Sequence, residues 1–157
     1  MPLQPMAELP CACATVRRAA RVLTQLYAEE FDGVLEGTQF SVLAIINRSP
    51  GITQATLGSM LALDKTTLSR NLNLMKRRRW LTAIPGKDRR ERGLRITAEG
   101  LRLVEAARPG WQRAQDRLKK ALGVAGWRRM FEVADHVTTV ALRAQQTRIE
   151  SMGDQVK

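Results

Sequence analysis

Five polar side chains in the middle of the chain are of the types that hydrogen-bond to base edges: Thr66, Thr67, Ser69, Arg70 and Asn73. The major groove of duplex DNA presents donors and acceptors that hydroxyl, amide and guanidinium groups can reach. Apolar Leu68, Leu72 and Met75 lie among them at helical spacing. The pattern predicts a helix whose apolar side faces a core and whose polar side faces nucleic acid, with Arg70 meeting either a guanine or a phosphate.

Positive charge is concentrated around this group. The chain has 157 residues, with 26 Lys and Arg against 15 Asp and Glu, a formal net charge of +11. Residues 65–95 hold eleven of the basic and two of the acidic residues, so this segment carries +9 and the remaining 126 residues share +2. Charge confined to one segment is typical of a phosphate-binding face, although a solvated helix face is the alternative. Aromatic residues are only 4%, which favours duplex over single-stranded nucleic acid.

Two short helices are predicted to hold the polar group. Thr53 is a predicted N-cap for the first, with three inward residues: Leu57, Met60 and Leu61. Gly58 would let another backbone approach closely. Asp64 is a predicted N-cap for the second helix, which carries the polar group. Two short helices joined by a tight turn form a helix-turn-helix.

A β-hairpin is predicted after these helices. Strand-forming residues 80–84 and 94–97 flank a basic loop with Pro85, Gly86 and Gly93. The apolar residues expected to face the body are Leu81, Ile84, Leu94 and Ile96. A two-stranded ribbon with a basic loop beside a helix-turn-helix is a wing.

Longer helices are predicted on both sides of this region. Apolar spacing predicts a helix over residues 14–34, and Thr38 is a predicted N-cap for the next helix, which ends at a Ser49-Pro50-Gly51 turn. Thr97 is a predicted N-cap for a further helix that Pro109 should kink or divide. A last helix is predicted from about Trp127 to Ile149, and its apolar face needs a partner helix.

The run from Thr53 to Leu72 and the run from Asp88 to Thr97 together resemble the MarR family of winged-helix transcriptional regulators. The second run is similar to the family's wing signature of Asp, one residue, Arg and a terminal Leu-Thr, with Ile96 in place of that Leu. The resemblance implies a mainly α fold with a small β-hairpin wing, a winged helix-turn-helix domain plus long N- and C-terminal dimerisation helices. It also implies a homodimer that binds a pseudo-palindromic duplex, most often as a repressor, and is released by a ligand or an oxidant.

Three regions follow from this interpretation. Residues 1–37 form an N-terminal arm and first dimerisation helix, residues 38–100 the winged helix-turn-helix DNA-binding region, and residues 101–157 the C-terminal dimerisation helices. The predicted DNA-binding residues are Thr53, Lys65, Thr66, Thr67, Ser69, Arg70, Asn73, Arg77, Lys87, Arg89, Arg90 and Arg92. Arg90 matches the signature arginine, and Arg92 is expected near the wing tip, where it can enter a minor groove. Lys87 and Arg89 would contact phosphates, and Asp88 would hold a wing arginine by an ion pair.

Cys11 and Cys13 are candidate sensing residues. Their spacing suits neither a disulfide framework nor a zinc site, and in a helix their side chains would point about 200° apart. With Pro10 at the first helical position, Cys11 would lie in the first turn, where the helix dipole favours a thiolate. Some members of the similar family sense oxidants through a first-helix cysteine. A bridge to another subunit, a soft metal held across a dimer, and two inert apolar residues are the alternatives.

Three aromatic residues are candidates for an effector pocket: Tyr27, Phe40 and Trp111. In the similar family such a cavity takes aromatic acids or drugs, whereas core packing explains the same residues equally well. His136 is the single histidine and has no acidic or cysteine cluster near it in sequence. We therefore expect a core or surface histidine and not a metal ligand.

The sequence favours a sequence-specific regulator of duplex DNA over a nonspecific architectural or RNA-binding protein, because groove-reading residues would be superfluous in the second. It contains no Ser, His and Asp set, no phosphate-binding glycine loop and no acidic metal cluster, so an enzyme is not expected, and no cofactor is predicted. No apolar run reaches the roughly 20 residues of a membrane span, and no secretory signal is recognisable. A cytoplasmic protein is expected.

Overall fold

The computed structural model describes residues 11–86 and 92–154. Within them the elements are, in chain order, α1 (Ala12–Phe31), α2 (Gly37–Arg48), β1 (Ile52–Thr53), α3 (Gln54–Leu61), α4 (Lys65–Arg77), β2 (Leu81–Pro85), β3 (Arg92–Ile96) and α5 (Ala98–Asp154). The expected fold class, mainly α with a small wing, is confirmed. No helix in this described part of the chain is long and apolar enough to cross a membrane.

By internal contacts the chain forms two units, which meet in sequence between Ala114 and Gln115. The first unit contains the helix-turn-helix and the sheet, and the second contains the rest of α5. This division reflects only which residues contact one another. The predicted boundaries at residues 37/38 and 100/101 concern function, and they stay a prediction.

Aliphatic side chains from α2, α3, α4 and the sheet form the core of the first unit. The largest of those fully buried are Leu43, Ile46, Leu57, Leu68, Leu72 and Met75. The predicted apolar line of α4 is therefore confirmed. Met60 was predicted to point inward, but it is 60% exposed. Because α3 has only eight residues and packs along the line of Leu57 and half-buried Leu61, a side chain one residue away from that line faces solvent.

Three predicted N-caps are confirmed by side-chain oxygens that accept hydrogen bonds from the first helical turn. These bonds are Thr56 N–H to Thr53 Oγ1 at 3.1 Å, Thr67 N–H to Asp64 Oδ1 at 2.8 Å, and Gly100 N–H to Thr97 Oγ1 at 3.1 Å. The prediction of Thr38 as the N-cap of α2 was wrong. Glu36 begins that helix in a reciprocal capping box with Gln39, and such a box satisfies two backbone donors where a single Thr hydroxyl satisfies one.

The sheet has three antiparallel strands in the order β1-β3-β2, so the predicted two-stranded ribbon was incomplete. β1 pairs Ile52 with Leu94 and Thr53 with Gly93, and it is too short to show an alternating pattern in sequence. Leu81 and Leu94 are buried as predicted. A Cβ on Gly93 would lie 2.8 Å from the carbonyl oxygen of Gly51, so only glycine allows this approach of backbone to backbone.

α5 does not break at Pro109, but it does break before the separate last helix that the sequence predicted from about Trp127. Its backbone stays helical through Pro109 and is non-helical at Gly123, with φ 67° and ψ 172°. Pro109 and Glu105, whose carbonyl loses its helical partner, are both exposed, so the missing hydrogen bond falls on the solvent side. The following Gly110 is buried, because its missing Cβ makes room for the Glu30 carbonyl at the end of α1. Arg113 secures the same contact with bonds of 2.8 and 2.9 Å to the Glu30 carboxylate and carbonyl.

Apolar side chains of the second unit are largely uncovered. Val133, Val137 and Val140 are 52%, 43% and 50% exposed, and they recur at helical spacing. Trp127 and Phe131 pack edge to face with ring centroids 5.0 Å apart. The predicted apolar face of the last helix is thus present, and most of it is left exposed by the described residues of this unit.

Candidate nucleic-acid interface

Four exposed side chains form one line along α4, which we call the recognition strip: Thr66, Arg70, Asn73 and Arg77. Their spacing of four, three and four residues places them on one side of the helix, opposite the buried Leu68, Leu72 and Met75. At 1.5 Å per residue the strip is roughly 16 Å long. An exposed helix face of this length, bearing one hydroxyl, one amide and two guanidinium groups, has the size and chemistry to read a few base pairs in a major groove.

Two predicted DNA-binding hydroxyls are engaged inside the protein. The Thr67 hydroxyl donates to Asp64 Oδ2 at 2.6 Å. The Thr53 hydroxyl caps α3 and also lies 2.9 Å from the Thr56 hydroxyl. The hydrogen bonds from the Thr67 side chain, and then from its backbone, hold the pKa of the Asp64 carboxyl below its usual value. Both threonines therefore stabilise helix starts, and a direct contact of either with DNA stays a prediction.

Ser69 is half-buried and turned toward α3, whereas the sequence placed it among the outward residues. Its Oγ accepts a hydrogen bond of 2.6 Å from Nε2 of Gln54, the first residue of α3. Gln54 was missed in the sequence, because the two residues are 15 apart and no local pattern connects them. A glutamine directly after an N-cap threonine and before a second helix is the one signal that was available.

Basic residues surround the recognition strip. Lys65 begins α4 and is exposed, and Lys76 and Arg77 lie in the last turn, where cations complement the helix dipole. The Arg78 guanidinium lies over the Trp80 ring, 5.0 Å from its centroid, a cation–π contact. Arg79 contributes through its backbone, with φ 59° and a carbonyl that accepts a 2.6 Å hydrogen bond from Thr97.

The described part of the wing comprises its two strands, β2 and β3. Arg92 and Arg95 on β3 are exposed, as a DNA-contacting role for Arg92 requires. The predicted wing residues Lys87, Asp88, Arg89 and Arg90 lie outside the described residues. Their roles stay predictions from the sequence.

Cys11 and Cys13 are free thiols, and both are exposed. α1 begins at Ala12, so Cys11 is its extended N-cap residue and Cys13 lies in the first turn. The prediction that put Cys11 in the first turn was therefore wrong by one residue. No group of three His, Cys, Asp or Glu side chains able to hold a metal occurs among the described residues.

The three aromatic candidates for a pocket belong, together with Phe31, to one row of aromatic rings that packs in and against the core. Successive ring centroids are 6.1 Å apart for Tyr27 and Phe31, 5.2 Å for Phe31 and Phe40, and 6.1 Å for Phe40 and Trp111. Burial raises the pKa of the Tyr27 hydroxyl. This packing agrees with the core alternative, and a pocket role for the row stays a prediction. His136 is exposed on α5.

A separate cleft of about 530 Å³ lies among the first helices of the first unit. None of the three aromatic candidates lines it. Its walls include Thr24 and Ala28 of α1, the start of α2 at Gly37, and Leu74 and Arg78 of α4. One wall thus belongs to the helix that carries the recognition strip.

Comparisons with known proteins identify relatives of this chain. A family profile described as MarR family matches residues 35–91. The DNA complex of the transcriptional regulator MosR from M. tuberculosis has 33% sequence identity and a TM-score of 0.76, covering 85% of this chain and 98% of that one. Among curated proteins, none matches.

Two further structures share the fold at lower identity. The PcaV transcriptional regulator from Streptomyces coelicolor, in complex with its natural ligand, has 24% identity and a TM-score of 0.76 over 90% of this chain and 99% of that one. A MarR variant from E. coli complexed with operator DNA has 20% identity and a TM-score of 0.73 over 86% and 99%.

Proposed function

Since the chain belongs to the MarR family of transcriptional regulators, we propose that it is a sequence-specific DNA-binding repressor that acts as a homodimer on a pseudo-palindromic promoter site. The recognition strip carries this proposal. Its four side chains are exposed, aligned and chemically suited to base edges, on a helix whose other side is locked in the core. The relative with 33% identity is a transcriptional regulator in complex with DNA.

Charge supports duplex DNA as the partner. The segment from Lys65 to Arg95 carries +9, and its described basic residues are exposed. Lys and Arg that neutralise phosphates release condensed counterions, so affinity should fall steeply with salt. The free energy of binding that comes from phosphate contacts is the same for every DNA sequence. Discrimination between DNA sequences therefore has to come from the recognition strip.

Uncovered apolar surface supports the homodimer. The valines of the second unit and Val16 at the start of α1, which is 52% exposed, are the kind of surface that a subunit interface buries. A second copy would cover both faces with helices of the same chemistry. Two copies would then present two recognition strips about one helical turn of DNA apart, near 34 Å.

Release from DNA is proposed to follow a small acidic aromatic effector or oxidation of an exposed thiol. The cleft beside α4 supports the first, because a ligand that prefers one position of α4 changes the recognition strip directly. The exposure of Cys11 and Cys13 supports the second. A titration of the protein–DNA complex with benzoate-type acids and with peroxide separates them, and Cys11→Ser with Cys13→Ser should abolish only the response to peroxide.

The proposed function is tested by fluorescence anisotropy with a duplex from the protein's own promoter and a random duplex of the same length, at fixed salt. We expect the promoter duplex to bind about a thousandfold more tightly or better, which is the lower end of the range of specific regulators. Equal affinities would contradict sequence-specific regulation and favour a nonspecific architectural protein. A footprint without two-fold symmetry would contradict the dimer.

A further inference from the structure

The hydrogen bond from Gln54 to Ser69 connects the two helices of the helix-turn-helix at the edge of the recognition strip. Ser69 lies three residues after Thr66 and four before Asn73, so it borders both on the surface of α4. The 2.6 Å distance from Gln54 Nε2 to Ser69 Oγ is among the shortest side-chain hydrogen bonds described in this protein, and the pair is partly buried. Among the described residues, the Gln54 side-chain amide forms no hydrogen bond other than the one to Ser69.

The position of Gln54 is fixed from two sides. It directly follows Thr53, the N-cap whose hydroxyl oxygen accepts a hydrogen bond from the Thr56 backbone N–H. Thr53 also ends β1, which pairs with β3. The start of α3 is therefore held by both a helix cap and a sheet, and the amide of Gln54 extends from a fixed backbone.

We infer that Gln54 is a positioning residue for base recognition, which orients the Ser69 hydroxyl so that it acts as a hydrogen-bond donor toward DNA. The inference rests on the proposed function. A serine hydroxyl has one hydrogen and two lone pairs. Because the Gln54 amide donates to Ser69 Oγ, the Ser69 hydrogen cannot be used in that bond and remains for another acceptor. In the major groove the acceptors are guanine O6 and N7, adenine N7 and thymine O4, so Ser69 selects these over the amino groups of cytosine and adenine.

The test is a panel of operator duplexes in which each base pair is changed in turn, measured by anisotropy with wild type, Gln54→Ala, Ser69→Ala and the double variant. We expect both single variants to lose discrimination at the same base pair of each half-site, by about fivefold or more, which is the lower end of one base contact. The double variant should lose no more than either single variant, because the two residues act as one unit. Thermal unfolding of each variant reports whether the fold is retained.

Gln54→Glu tests the direction of this hydrogen bond, since a carboxylate only accepts hydrogen bonds. The Ser69 hydroxyl then donates to Glu, and its lone pairs face the groove. We expect the preference at that base pair to shift from an acceptor toward the amino group of cytosine or adenine. Ala55→Glu is the matched control, because it adds the same charge at the neighbouring exposed position, and it should weaken all duplexes without changing the profile.

The outcomes separate this inference from the proposed function. Wild type without operator preference would contradict the proposed function before any variant is made. Wild type with a clear operator preference, and folded Gln54 variants with an unchanged base-pair profile, would overturn the inference alone. Additive losses in the double variant would also overturn it, because they would mean that Gln54 and Ser69 contact DNA independently.

Discussion

Arg70 lies in the middle of the recognition strip, exposed between Thr66 and Asn73. We predict that Arg70→Ala costs about 1–3 kcal/mol of operator binding and relaxes the preference at one base pair, because a guanidinium can bond bidentately to guanine. Lys87→Ala, by the sequence prediction of a phosphate contact, should instead weaken all duplexes alike. The measurement is anisotropy against the duplex panel, with Arg108→Ala on α5 as a charge-matched control. Equal losses on every duplex for Arg70→Ala would assign Arg70 to the phosphates.

Asp64 connects the stability of the recognition helix to pH. The pKa of this carboxyl is lowered in the folded protein from 3.8, chiefly by the Thr67 hydroxyl and next by the Thr67 backbone. Its contribution to stability is therefore fully present above the unfolded pKa and is lost as the pH falls through the lower folded pKa. We predict that Asp64→Asn has a lower Tm than wild type at pH 7, and that this difference shrinks below about pH 4.

Circular dichroism melts at pH 7, 5, 4 and 3 measure this difference. Thr67→Val removes the hydroxyl that donates to Asp64. Its Tm should also be lower than that of wild type at pH 7, and this difference should shrink over the same pH range. A difference in Tm that stays constant down to pH 3 would show that the charge of Asp64 does not contribute to the cap.

At the scale of elements, the end of α4 is held in a strained arrangement. Arg79 N–H bonds to the Lys76 carbonyl and Trp80 N–H to the Met75 carbonyl, both near 3 Å, which is a Schellman motif with Arg79 at the left-handed position. Glycine has no Cβ penalty there. We predict that Arg79→Gly raises the free energy of unfolding by about 1 kcal/mol, as measured by urea denaturation followed by tryptophan fluorescence.

Arg78→Gly is the control for this prediction. Arg78 has φ −79°, so glycine relieves no strain there and removes the cation over Trp80. We expect it to lower stability. Stabilisation by both substitutions would point to a general effect of charge, and not to the backbone of Arg79.

The elements also show what the sequence could predict. Thr53, Asp64 and Thr97 were recognisable as caps because a cap depends on residues within one turn of it. The pairing of β1 with β3 and the bond from Gln54 to Ser69 join residues 15 or more apart, and nothing local signals them. Pro109 was predicted to break α5 from its type alone, whereas its exposure decides the outcome. Ser69 was correctly placed on α4, but its partner Gln54 could not be predicted from helical spacing.

At the scale of the whole molecule, the exposed apolar face of the second unit is the surface on which the proposed homodimer depends. We predict that Val137→Glu converts the proposed dimer to monomer, because a carboxylate buried in an apolar interface would lack a partner. Sedimentation velocity at micromolar concentration measures the change. Operator affinity should fall with it, since a monomer presents one recognition strip and not two.

Thr139→Glu is the matched control, because Thr139 is exposed and lies on the other side of the helix from Val137. It should leave the dimer intact. A Val137→Glu variant that still sediments as a dimer would exclude this face as the interface.

β3 is shared between the wing and the start of the helix-turn-helix. It pairs with β2 on one side and with β1, next to the N-cap of α3, on the other. A side chain at Gly93 that separated β3 from β1 would therefore disturb both the base of the predicted wing and the start of α3.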